Sequence, residues 1–294
     1  MTTTSAEHAA ALRPRLGKLG IWMPPVAALG LDPAEYGTRI EDAGFRSVWF
    51  PGVNDPASLD AIGQVLAGTR TLVAGTGIAS VWHWDPADLA ARADHLAATY
   101  GDRFVLGLGN SHAALLESQG RAYVKPYSKT VDFLDHLPRT RTPVVLAALG
   151  PRMLELSRDR TAGAHPYFTP PEHTAFARGV LGREPLLIPE VAVVLAAGAD
   201  GAAAARAYAR LYLQLPNYTN NLRRFGFTDA DIDGGGSDRL MSSVVPSGPA
   251  AARARVKEHL DAGADHVLIQ LLDANGRFAS GDLAELADLV GDLG

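Results

Sequence analysis

The sequence predicts one α/β domain, a (β/α)8 barrel of the TIM type with a helical insertion between the seventh and eighth strands. The first observation behind this is a recurrence of eight short apolar runs, at 19–23, 47–50, 72–81, 104–108, 144–149, 164–168, 191–195 and 266–272, most followed by helical spacing. The second is a set of helix starts soon after a run: Asp32-Pro33-Ala34-Glu35, Asp85-Pro86-Ala87-Asp88 and Thr169-Pro170-Pro171-Glu172. An oxygen-bearing cap, a proline and an acid at these places satisfy free N–H groups and the helix dipole. The third is length, because 294 residues without a long linker suit one barrel.

Taken in order, residues 1–17 read as a tail and 18–294 as the barrel domain. Gly44 and Gly263 end helices before strands, and the Asp-Ala-Gly pattern at Asp42 to Gly44 recurs at Asp261 to Gly263. The stretch at about 199–246 exceeds one helix and forms the insertion. Helices are expected at 202–215 and 217–225, and Thr228 to Asp231 caps a third.

Composition excludes several classes. With no Cys, disulfides, iron–sulfur clusters, Cys-type zinc sites and a Cys nucleophile drop out. The 27 basic and 32 acidic residues are interspersed, which argues against nucleic acid as a partner. No run reaches the roughly 18 apolar residues of a membrane span, and no secretory signal is recognised, so a cytoplasmic protein is expected. The nine His show no His-x-x-His or His-Glu-x-x-His spacing, so no metal site is expected.

A parallel barrel binds its ligand at the carboxyl ends of its strands. Those ends carry Trp22, Gly52, Thr76 to Ser80, Trp82 and His83, Gly107 to His112, Gly150 to Arg152, and His165 with Tyr167. Glycines at Gly75, Gly77, Gly107 and Gly109, on adjacent strands, would let a flat ligand approach the backbone; the alternative is simple strand-to-loop turns. Neither Gly-x-Gly pair completes a dinucleotide fingerprint, because Ser80 and His112 hold the third positions. Gly150-Pro151 opens a helix whose N–H groups suit a phosphate, with Arg152 adding charge or simply solvated. His112 and His83 are imidazoles placed for proton transfer at neutral pH, with a structural role as the alternative for each.

Several segments together resemble the bacterial luciferase-like superfamily, and within it the actinobacterial oxidoreductases that use the deazaflavin coenzyme F420. The carriers are Leu19-Gly20-Ile21-Trp22, Gly44 to Pro51, Gly75 to Trp82 with Asp85-Pro86, Arg103 to Gly109, Ala147 to Leu154, and Ala262 to Val267. The resemblance implies a homodimeric barrel with a flavin or deazaflavin at the strand ends, acting on a small organic substrate. It implies a bulge over Thr76 to Ala79 with a non-proline cis peptide at Gly77–Ile78, an ordinary trans bulge being the alternative.

By the same matching, cofactor contacts fall on Trp22, Gly52, Thr76, Gly77, Ile78, Ala79, Ser80, Gly107, Gly109, Asn110, Ser111, Gly150, Pro151 and Arg152. His112 is the expected proton donor or acceptor, with Asn110 as its catalytic companion. Substrate contacts are assigned to Trp82, His83, His165 and Tyr167. The chain departs from many members in carrying Pro51-Gly52-Val53 where they have an acid after the second strand, and in its short polar helix at 125–137. An FMN-dependent monooxygenase and a cofactor-free ligand-binding paralogue are the alternatives. The loops at 53–58, 112–127 and 218–241 shape the substrate wall, with Trp82, Trp84, Tyr123 and Phe225 as pocket candidates or ordinary packing.

Overall fold

The computed structural model describes residues 4–24, 30, 32–279 and 283–293. The strands form where apolar runs predict them, since a strand covered on both faces can be apolar throughout. They are β1 (Leu19–Trp22), β2 (Ser47–Phe50), β3 (Val73–Thr76), β4 (Ala79–Ser80), β5 (Phe104–Gly109), β6 (Val144–Leu146), β7 (Gly163–Ala164), β8 (Leu186–Leu187), β9 (Glu190–Val194) and β10 (Val267–Leu272). All pair in parallel in the order β8-β7-β6-β5-β3-β2-β1-β10-β9, with β4 continuing beside β5.

Two pairs of these segments are single barrel strands. β3 and β4 are one strand interrupted at Gly77–Ile78, where the peptide bond is cis. β8 and β9 are one run whose first half pairs with β7 and whose second half pairs with β10. Between the halves, Ile188 N donates to Ala164 O, Glu190 N to Pro166 O, and Leu268 N to Pro189 O. The sheet therefore closes on itself with eight strands, as expected for a (β/α)8 barrel. The seventh strand starts at Leu186, ahead of the expected run at 191–195, and the sixth narrows to Gly163–Ala164.

Two helix starts hold as expected: Asp32 accepts from Glu35 N, and Asp85 from Ala87 N and Asp88 N. The third differs, because Pro170 is the cap and the Thr169 hydroxyl makes no bond. In the insertion, helices span Gly198–Tyr212, Pro216–Arg224, Asp229–Ile232 and Asp238–Val244, and Thr228 forms the expected capping box with Asp231.

The tail reading needs correction from residue 5 onward; residues 1–3 lie outside the described residues. Ser5–Leu16 is a helix, closed by a reciprocal capping box between Thr4 and Glu7. It packs Ala9, Leu12 and Leu16 with Val73, Val105, Val145, Leu186 and Leu268. Most of these sit at or near strand starts, so the helix covers the amino-terminal mouth of the barrel. Arg15 ties it down through the carbonyls of Gly101 and Asp102, and Arg13 through Asp265.

The barrel interior is filled by Trp49, which is fully buried. A Cβ at Gly75 would stand 2.6 Å from its indole, and one at Gly107 would stand 1.9 Å from Thr76 O. These two glycines therefore accommodate barrel packing, which corrects their reading as ligand-approach positions.

Four buried histidines, His165, His173, His259 and His266, are held neutral by desolvation, with pKa values pushed down to about 4, 4, 3 and 4. In the unfolded chain they protonate near 6.5, so they draw stability down as pH falls from about 6.5 toward 4. Each contributes about 1.4 kcal/mol per pH unit. Glu190, pushed up to about 8 by burial, works in the opposite sense between 4.5 and 8. Four protons outweigh one, so urea midpoints should fall between pH 6.5 and pH 5; a midpoint constant over that range would contradict this account.

Candidate functional site

A cleft of about 550 Å³ opens at the carboxyl ends of the strands, the place a parallel barrel reserves for its ligand. Its lining comes from nearly every strand end and from the insertion. The barrel supplies Trp22, Pro51, Gly52, Asn54, Gly77, Ile78, Asn110, Ser111, His112, Ala147 to Gly150, His165 and Tyr167. The insertion contributes Tyr212, Asn217, Tyr218, Asn220, Asn221 and Arg224, and the segment after β5 adds Tyr123 and Tyr127.

The floor is built around Gly77. A Cβ there would stand 2.7 Å from Trp22 Nε1 and 3.4 Å from His165 Nε2, so only glycine leaves this surface flat. Trp22 Nε1 is a buried donor without a partner. His165 Nδ1 lies 2.7 Å from Ile188 O, and a carbonyl only accepts, so Nδ1 carries the proton and Nε2 is left as an acceptor. Thr76 lies beneath this floor: its hydroxyl donates to Gly107 O and accepts from Gly107 N, bracing the interrupted strand.

One wall carries Asn110. Its Nδ2 donates to Thr130 Oγ1 at 2.8 Å, and Thr130 spends its own proton on Pro126 O. That arrangement fixes the amide orientation and leaves Asn110 Oδ1, buried and unpartnered, as a free acceptor. His112 caps the helix Ala113–Ser118 and faces the Tyr218 ring at 5.7 Å. Burial lowers its pKa, and Nδ1 has no partner, so it rests as a neutral imidazole. The opposite wall is aromatic: Tyr212 stands perpendicular to Tyr218 and stacks on Phe168 at 4.9 Å.

One end of the cleft is positive. The helix Pro151–Arg160 starts at Gly150 without a side-chain cap; Pro151 has no N–H and Met153 N already donates to Gly150 O, so the Arg152 N–H and the positive end of the helix dipole are what this terminus offers. Arg224 Nη1 comes within 4.0 Å of the Cβ position of Gly150 and donates to Asn221 Oδ1. Asn221 is 2% exposed, and its Nδ2 has no partner. Helix terminus, guanidinium and amide donor together suit an anion.

The expected residues divide accordingly. The cleft is lined by Trp22, Gly52, Gly77, Ile78, Asn110, Ser111, His112, Gly150, His165 and Tyr167. Thr76, Ala79, Ser80, Gly107 and Gly109 are buried behind it; a Cβ at Gly109 would meet Ile78 and Ala147. Pro151 is the first residue of its helix, and Arg152 lays its guanidinium over the Tyr127 ring at 4.0 Å, so neither is part of the lining. Trp82 packs behind Tyr123, and His83 bonds Gln119. Of the pocket candidates Tyr123 lines the cleft, Trp84 is tied to Val53 O, and Phe225 packs on His173.

Tyr212 was not singled out from sequence, and Asn54, Asn221 and Arg224 were reached only as members of the strand-end and wall segments at 51–58 and 218–241, with no role assigned to them. Arg224 sits in a polar helix far along the chain from Gly150, and no local motif links the two.

Residues 32–139 match the model of the luciferase-like monooxygenase family, which bears out the luciferase-like resemblance over that segment. Known structures share the fold over most of the chain. The coenzyme F420-dependent tetrahydromethanopterin reductase from Methanopyrus kandleri aligns with a TM-score of 0.71 at 14% identity, covering 94% of this chain and 99% of its own. An F420-dependent secondary alcohol dehydrogenase, in complex with an F420-acetone adduct, aligns at 0.71 and 13%, covering 95% and 99%. The oxygenating constituent of 3,6-diketocamphane monooxygenase from Pseudomonas putida, a type II Baeyer-Villiger enzyme in complex with FMN, aligns at 0.59 and 15%, covering 86% and 92%.

The positive end makes a direct prediction. Arg224→Ala should weaken binding of a phosphate-bearing flavin or deazaflavin by about tenfold or more, the cost of one charged hydrogen bond. Arg152→Ala should leave it nearly unchanged. Fluorescence titration of both variants checks this, and the reverse ranking would move the anion site to Arg152.

Proposed function

We propose that this chain is an oxidoreductase that binds coenzyme F420 in the cleft and serves hydride transfer between the deazaflavin and a small organic substrate. The observation that carries the reading is the combination of a flat floor at Gly77 with a positive end at Gly150, Asn221 and Arg224. A planar ring bearing a phosphate tail fits such a site. The buried, unpartnered polar atoms Trp22 Nε1, Asn110 Oδ1 and Asn221 Nδ2 are what a polar ring edge and a phosphate would satisfy. The likeness to two F420-dependent folds supports the deazaflavin.

When bound, the group supplies hydride chemistry that no side chain can provide. The chain's own residues do the rest. Trp22 and Asn110 offer one donor and one acceptor to the ring edge, and Arg224 with Asn221 holds the phosphate. Tyr123, Tyr212 and Tyr218 exclude water from the substrate side. His112, neutral at pH 7 because it is desolvated, is the candidate to accept or return a proton at its ring nitrogen.

A second reading, an FMN-dependent monooxygenase, is favoured by the family description over residues 32–139 and by the FMN-bound neighbour. A cytoplasmic homodimer remains part of the proposal. Among the described residues no helix is long and apolar enough to cross a membrane.

Titration with F420 and separately with FMN, followed by oxygen uptake on reduction, separates the readings. We expect F420 to bind at micromolar concentration and FMN more weakly, with no oxygen consumed. Preference for FMN with oxygen uptake would establish the second reading, and binding of neither would point to a cofactor-free ligand-binding protein.

A further inference from the structure

Behind the aromatic wall lies a polar cluster whose hydroxyls the proposed chemistry does not use, although the Tyr212 ring is part of the wall itself. Tyr167 Oη lies 2.7 Å from Tyr208 Oη and 2.8 Å from Tyr212 Oη, and it donates to Gln270 Oε1 at 2.9 Å. Tyr208 Oη also reaches Gln270 Oε1 at 2.9 Å. Gln270 Oε1 brings no proton, so these four contacts share only three phenolic protons. All four cannot be filled at once, and the same heavy-atom frame admits several proton arrangements. Tyr167 and Tyr212 line the cleft, so one end of the cluster meets the ligand space.

The other end meets Glu190, which is 1% exposed. Its Oε2 accepts from Phe168 N at 3.3 Å, and Oε1 has no partner within hydrogen-bond length. Besides the Phe168 N–H, the hydroxyls of Tyr208, Tyr167, Tyr212 and Tyr218 act on this carboxyl electrostatically, and none of them is within hydrogen-bond length of it. No arginine or lysine contributes to its ionisation among the described residues. A carboxyl so placed keeps its proton, because nothing nearby compensates a buried charge.

We propose that Glu190, Tyr208, Tyr167 and Tyr212 form a proton relay that stores one proton in the barrel and delivers it to a basic oxygen of a ligand in the cleft. The step rests on the oxidoreductase reading above only for the identity of that oxygen, an alkoxide left when a carbonyl receives a hydride. The Glu190 O–H bond breaks as a new O–H forms on Tyr208, Tyr208 passes its proton to Tyr167, and Tyr167, directly or through Tyr212, protonates the ligand oxygen. Glu190 ends as a carboxylate and the ligand as an alcohol, with no change in electron count. The reverse sequence, drawing on solvent at the open cleft, restores the acid. The link from Glu190 to Tyr208 must shorten for transfer, as catalytic hydrogen bonds often do on ligand binding.

The test needs no ligand. The carboxyl C=O stretch of Glu190 in the full-length protein is assigned by infrared difference against Glu190→Gln, and its deuteration is timed after transfer to D2O. The band should be present at pH 7 and disappear as pH rises through about 8. Deuteration should slow by about tenfold or more in Tyr208→Phe and Tyr167→Phe. Should one of these fail to fold, the other carries the test, because both lie in series between Glu190 and the cleft. Unchanged deuteration in every folded phenylalanine variant, or a carboxylate already ionised at pH 6, would overturn the relay. Because no cofactor enters, this outcome is independent of whether F420 binds.

Discussion

The packing of Trp49 against two glycines is the constraint on which the upper half of the molecule rests. Its indole fits the barrel interior because a Cβ at Gly75 would stand 2.6 Å from it, while the missing Cβ at Gly107 leaves room first for Thr76 O and then for the ring edge at 3.4 Å. Any larger residue would drive the ring upward or spread the strands, since interiors are packed to near-crystalline density. With the axis filled at this level, the next layer, Trp22, Gly77 and His165, becomes a floor. The Thr76 hydroxyl, bonded to both the N–H and the carbonyl of Gly107, keeps the two strands in register where the third is interrupted.

Closure imposes the second constraint. The run from Leu186 to Val194 must pair on two sides in succession, and Pro189 at the changeover serves only as an acceptor, for Leu268 N. This places Glu190 inside the wall and so buries an acid on which, among the described residues, no arginine or lysine acts. The tyrosine cluster and the cleft wall are thus consequences of how the barrel closes. The helix Ser5–Leu16 covers the opposite mouth, and the cleft opens at the carboxyl-terminal face.

The barrel itself was legible because its strands are short apolar runs and its helices start with aspartate and proline, both local signals. The exceptions have physical causes. Ser5–Leu16 contains Arg13, Pro14 and Arg15 in its last turn and buries only a narrow stripe, so it lacks the periodicity of a covering helix. The true start of the seventh strand lies between Pro185 and Pro189, residues that suppress a strand reading. At the site, Trp22, Gly77, Asn110 and His112 were readable as residues ending strands. The glycines at Gly75 and Gly107 were not distinguishable by sequence from Gly77, because all three lie against neighbouring atoms and what separates them is that only Gly77 lines the cleft. Arg224 and Asn221 were legible only as part of the wall segment 218–241, because their place at the anion end arises from a helix of the insertion folding back onto Gly150.

The central claim is that one cleft pairs a flat floor with an anion-binding end for a deazaflavin. A crystal structure of the complex with F420 tests it most directly. The account predicts the ring over Gly77 between Trp22 and Asn110, with the phosphate at the start of Pro151–Arg160 beside Arg224. Density for the ring elsewhere, or a phosphate held by Arg152 on the outer surface, would contradict it.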